Sequence, residues 1–117
     1  MGRAIPLSVH AAIETVAGPA IMAAPFLLGF GEAASVIAFA IGAGLLGLAV
    51  QVAGPGRTIP LYAHASLDYA LAAVAAIGGL VIGLATGEWD AASFLAGVGV
   101  GMVMLTASTR FSVPAGA

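Results

Sequence analysis

The chain contains no cysteine and no lysine. The first absence removes disulfides, thiolate metal sites, iron–sulfur clusters and thiol nucleophiles together. The second leaves Arg3, Arg57 and Arg110 as the only permanent side-chain cations, against Glu14, Glu32, Asp68, Glu88 and Asp90. With a net charge of −2 and no basic patch to hold phosphates, nucleic acid is excluded as a partner. Charge of either sign is scarce: 7% of 117 residues, where a soluble domain carries about a quarter. So few charges cannot cover a water-facing surface, and the lipid bilayer is the expected solvent.

What is present is apolar, 62% of the residues, gathered into four runs: Ile5–Leu28, Ala33–Ala53, Ile59–Ala85 and Ala91–Ser108. A bilayer core of ~30 Å takes roughly 20 helical residues, and each run meets or approaches that length. None has the strict apolar/polar alternation of a barrel strand. The first run exceeds the ~7–15 residues of a signal h-region, so it reads as a retained membrane helix. Short links rich in turn formers, Gly29–Glu32, Gly54–Thr58 and Thr86–Asp90, make consecutive helices antiparallel neighbours. The expected fold class is an all-α membrane protein of four transmembrane helices.

Charge then orients the path. Arg3, Arg57 and Arg110 fall on one side of the four crossings, and Glu32, Glu88 and Asp90 on the other. The positive-inside rule puts the arginine side, with both termini, in the cytoplasm. Trp89 falls at the opposite interface, a headgroup level that indole favours.

The chain also repeats itself. Gly2–Glu14 aligns without gaps on Gly56–Asp68, with Gly, Arg, Ile, Pro, Leu, His and Ala identical in register. Farther on, Glu32-Ala33-Ala34-Ser35 answers Asp90-Ala91-Ala92-Ser93 after a four-residue insertion. Residues 1–54 and 55–117 therefore read as two helical-hairpin repeats of one bundle, related in parallel about an axis along the membrane normal. Pro6 and Pro60 suit a first helical turn, whereas Pro19 and Pro25 lie inside the first helix and should bend it. Gly79 and Gly83 on the third helix, and Ser93, Gly97 and Gly101 on the fourth, are spaced by four, a pattern that lets helices pack closely in lipid.

The stretch Gly18-Pro19-Ala20-Ile21-Met22-Ala23-Ala24-Pro25-Phe26-Leu27-Leu28-Gly29-Phe30 resembles the signature of bacterial SPW-repeat membrane proteins. There a Ser-Pro-Trp triplet, an apolar pair and Gly-Phe close the first helix of a two-helix repeat. Here the triplet reads Ala24-Pro25-Phe26, and the second copy keeps only Gly83 from the end of the motif. The Ile-Pro-Leu and His-x-x-x-acid segments look like those of some members. The resemblance implies a two-repeat, four-helix protein of the bacterial cytoplasmic membrane and carries no activity.

The residues with chemical capacity are His10, Glu14, His64 and Asp68. Ionisable groups within a membrane are costly and default to a functional hypothesis with named partners. The i, i+4 spacing stacks His10 with Glu14 and His64 with Asp68, each His ~6 Å and each acid ~12 Å past the proline that starts its helix, Pro6 or Pro60. The two pairs lie at one depth and should face each other. The first reading is a clamp in which each His bonds an acid, within its own helix or across to the other hairpin. The alternative is a divalent metal held by all four, or a haem held by the two histidines. A proton relay is the third, but nothing polar continues into the outer half. Tyr62 suits the interface, and Tyr69 is deep enough to donate to the cluster. No nucleophile–base–orienter set assembles, so a structural or accessory role, in a homo-oligomer or a larger membrane complex, is expected over enzymatic activity.

Overall fold

A computed structural model describes residues 3–53 and 59–112 of the chain. It is all-helical: α1 (Leu7–Leu28), α2 (Glu32–Ala53), α3 (Leu61–Thr86) and α4 (Trp89–Ala107), each long and apolar enough to cross a membrane. The ends fall within two residues of the hydropathy breaks. The link carrying Arg57 lies outside the described residues.

Local chemistry sets the boundaries. Pro6 and Pro60 are N-caps in extended conformation (ψ 153° and 150°), one residue earlier than the first-turn position the sequence suggests. A proline there loses nothing, because that N–H has no helical acceptor. α1 and α3 end on Gly29 (φ 71°) and Gly87 (φ 75°), left-handed caps whose N–H groups bond Pro25 O and Gly83 O. Phe30 N–H also bonds Pro25 O at 2.9 Å, completing a tight C-terminal turn. α1 runs unbroken through Pro19 and Pro25.

The helices pack as two hairpins, α1 on α2 and α3 on α4, which meet mainly through α2 and α3. Small residues make the close approaches. A Cβ on Gly42 would sit 2.5 Å from Gly18 O, and one on Gly99 would sit 2.8 Å from Ala72 O. The interior holds Ala34, Ala38, Ala72, Ala75 and Ala91, all 1% exposed or less, around Ile41, Leu45 and Leu95. Large apolar side chains point outward, among them Val16 (73% exposed), Leu27 (83%) and Leu84 (71%). Small residues inside and bulky ones outside is the arrangement expected where lipid, not water, is the surrounding solvent and helix association depends on close contact.

Two short contacts tie the hairpins at their ends. Ile5–Pro6 pairs in parallel with Thr109–Arg110, and Ile5 N–H bonds Ser108 O at 2.9 Å. At the opposite end Glu88 Oε1 accepts the Gly31 N–H at 2.7 Å, with the Phe30 and Phe94 rings edge to face at 5.6 Å. Arg3 and Arg110 are exposed at the first end, where α1 begins and α4 leaves, and Glu32 and Asp90 at the second.

Candidate intramembrane His–carboxylate site

His10 is the fourth residue of α1 and His64 the fourth of α3, so the two proline-started helices set them, and the acids one turn on, at matching depth. All four residues are buried, none more than 2% exposed. They converge. His10 Nε2–H donates to Asp68 Oδ2 at 2.9 Å, and His64 Nε2–H donates to Glu14 Oε1 at 3.2 Å. The same nitrogens lie 3.2 Å from the acid of their own helix, His10 from Glu14 Oε2 and His64 from Asp68 Oδ2. The hydrogen bonds thus cross between hairpins, and the i, i+4 contacts close them into a ring that Asp68 enters through one oxygen and Glu14 through both.

A fifth residue orients the ring. Thr109 Oγ1 donates to Leu105 O at 2.6 Å, spending its only proton, and lies 2.8 Å from His10 Nδ1. Thr109 can therefore only accept there, which fixes the proton on Nδ1 and aims Nε2 at the carboxylates. Phe111 closes the end, its ring centroid 5.1 Å from that of His10 and 5.6 Å from that of His64. Neither residue carries a sequence signal, because the pairing of Thr109–Arg110 with Ile5–Pro6 is what brings the exit of α4 over the histidines. Asp68 Oδ1 has no hydrogen-bond partner among the described residues, although Asp68 is fully buried.

The haem alternative finds no room. The two imidazole centroids are 5.6 Å apart, and the carboxylates that bond both rings fill the space a porphyrin plane would need. Tyr69 is 41% exposed and lines a groove between α3 and α4, and Tyr62 is 76% exposed. Beyond Glu14 and Asp68 the interior continues as Ala72, Ala75, Ile41, Leu45 and Ala38, which gives a proton no path to the far end.

The small-residue positions divide. A Cβ on Gly79 would meet Ala92 O at 2.9 Å, and one on Gly83 would collide with the Trp89 ring, so both sit at the α3–α4 contact. Ser93, Gly97 and Gly101 are exposed, and nothing lies within 4 Å of a Cβ on either glycine. Gly99, not that stripe, meets α3.

Beside Glu14 a cavity of about 260 Å³ separates α1 from α4, lined by Ile13, Ala17, Met102, Leu105 and Thr106 among others. On the α2–α3 side Leu71, the register counterpart of Ala17, fills the corresponding gap, lying 3.1 Å from where a Cβ of Gly44 would be. Ala17 is the short side chain on the α1 face of the α1–α4 cavity. Comparison with protein-family models, curated proteins and solved structures finds no match. The likeness to SPW-repeat proteins stands on its motif residues alone.

Proposed function

We propose that the protein is a non-enzymatic, multi-pass subunit of a bacterial cytoplasmic membrane, with both termini in the cytoplasm. In this reading it is built from two parallel-related hairpins, and the His10–Glu14–His64–Asp68 ring clamps them together. One observation carries the clamp: both hydrogen bonds of the ring run from one hairpin to the other, at a place where the backbones of α1 and α3 otherwise scarcely approach. Interhelical hydrogen bonds in membranes contribute on the order of 0.6–2 kcal/mol, while an unpaired charge there costs at least ~2.5–3.5 kcal/mol. A ring in which each histidine bonds an acid of the other hairpin therefore favours one way of docking the hairpins over any that separates the charges.

The accessory role is supported by Ser93 and Gly97, exposed small residues of α4, of which Gly97 has no described residue within 4 Å of where its Cβ would be, while Gly101, the third of the series, lines the α1–α4 cavity. The matching depth of the two His/acid pairs, and the closeness of Gly18 to Gly42 and of its counterpart Ala72 to Gly99, support the parallel repeat. The arginine and acid ends support the orientation. The test is thermal unfolding in detergent with a chelator present. His10→Gln and His64→Gln should each lower stability by ~2–3 kcal/mol, and together by less than the sum, because they share one network. Additive or absent effects would remove the clamp.

A further inference from the structure

The ring that joins the hairpins has the donor set and spacing of a cation site. We propose that the protein binds one divalent ion of the zinc class through Nε2 of His10, Nε2 of His64 and an oxygen each from Glu14 and Asp68. The inference deepens the clamp reading: the ion would hold the same two hairpins at the same point.

Geometry comes first. One ligand atom from each of the four residues falls within 4.8 Å of all the others. Asp68 Oδ2 lies 2.9 and 3.2 Å from the Nε2 atoms of His10 and His64, and Glu14 lies 3.2 Å from each of them through a different oxygen, Oε2 towards His10 and Oε1 towards His64. A tetrahedron with metal–ligand bonds of ~2.0–2.1 Å has six edges of about 3.3–3.4 Å, so these contacts lie within a few tenths of an ångström of its edges, and any wider pair, none beyond 4.8 Å, would draw together around the ion. Two imidazoles and two carboxylates suit zinc, iron or manganese. Calcium and magnesium prefer all-oxygen shells, and copper(I) prefers sulfur.

Orientation comes second. A ligating histidine usually presents one nitrogen to the metal and donates the other N–H to an outer acceptor. His10 is held in that way, with Nδ1–H on Thr109 and Nε2 facing the acids. An ion at the centre would also relieve the ring of a shortage. Four nitrogen–oxygen contacts are served by only two Nε2–H groups, and Asp68 Oδ1 is buried with no partner among the described residues. That second oxygen, on a carboxylate already at the site, is available to a cation.

Charge comes third. A dication in place of two Nε2 protons leaves the total unchanged against Glu14 and Asp68, so loading the site adds no net charge within the membrane. Four protein ligands under the Phe111 ring make a closed set, the pattern of structural rather than catalytic zinc.

The experiment uses the full chain, purified in detergent through a histidine-free tag, stripped with chelator and titrated with Zn²⁺ and Co²⁺. One equivalent should bind, and Co²⁺ should give the intense visible bands of four-coordinate geometry. Thr109→Val keeps every ligand but removes the Nδ1–H acceptor, and should weaken affinity by ~10–100-fold. Glu14→Gln paired with His64→Ala should abolish binding. No one-to-one binding in the wild type, six-coordinate Co²⁺ spectra, or binding that survives the ligand double variant would each overturn the site. Unchanged affinity in Thr109→Val would overturn the assigned ligand geometry. If the wild type binds no ion yet His10→Gln still destabilises it in chelator, the ion is lost and the clamp stands. If it binds tightly but His10→Gln has no effect in chelator, the ion stands and the clamp is lost.

Discussion

Glu88 reaches from the turn before α4 to accept the Gly31 N–H at 2.7 Å, and its carboxylate occupies the space a side chain at position 31 would take. A Cβ there would lie 2.5 Å from Glu88 Oε2. The hairpins are thus joined by a carboxylate at the end opposite the His–acid ring.

Gly31→Ala is therefore expected to displace Glu88 and forfeit a hydrogen bond to a charged acceptor, lowering stability by ~1.5–3 kcal/mol. In a Glu88→Ala background the same substitution should cost almost nothing, since the obstruction is gone. Thermal unfolding of the four proteins measures the coupling directly, and equal costs in both backgrounds would show that Glu88 does not link the turns.

The close approach of α1 and α2 gives a second expectation. A Cβ at Gly42 meets Gly18 O at 2.5 Å and Met22 N at 2.9 Å, backbone atoms that cannot step aside. Gly42→Ala should push the helices apart and cost ~1–3 kcal/mol. Gly97→Ala meets nothing within 4 Å and should leave the stability of the isolated chain unchanged or raise it by up to ~1 kcal/mol through helix propensity. Equal destabilisation by both would contradict the packing.

The contrast between these glycines shows where the sequence stops being legible. Hydropathy and turn residues locate four membrane-length helices because lipid demands length and short links demand breaks. The meeting of His10, Glu14, His64 and Asp68 was legible too, because a shared distance from Pro6 and Pro60 sets a shared depth. Rotation of each helix about its axis was not. Every face of α4 is apolar, so a spacing of four at Ser93, Gly97 and Gly101 could not say which way the stripe faces, and the residue that meets α3 is Gly99. Thr109 and Phe111 were invisible for another reason. They reach the histidines only through the pairing of the chain's two ends, a contact between residues about a hundred positions apart.

The open α1–α4 seam yields a third expectation. On the α2–α3 side Leu71 packs against Gly44, whereas Ala17 and Met102 line a cavity of about 260 Å³. Ala17→Leu should extend into it without displacing the ring and stabilise the bundle by about 1 kcal/mol, the reverse of emptying a packed site. Loss of stability would mean the cavity is closed in the membrane-embedded protein.

Orientation can be tested because the chain lacks cysteine, so a single introduced thiol reports alone. Gly87 is a poor place for one, since its φ of 75° penalises any side chain. Glu32 is exposed at the start of α2 on the acid-bearing end and has no such constraint. A cysteine at Glu32 should react with a membrane-impermeant maleimide in intact cells. Cysteines at Gly2 and Ala115 should react only after the membrane is opened. Arg3, Arg57 and Arg110 fall in the sequence on one side of the four crossings, and moving them outward would oppose the bias that sets membrane topology. Labelling of Gly2→Cys or Ala115→Cys from outside, with Glu32→Cys protected, would reverse the orientation and put the His–acid ring near the outer surface.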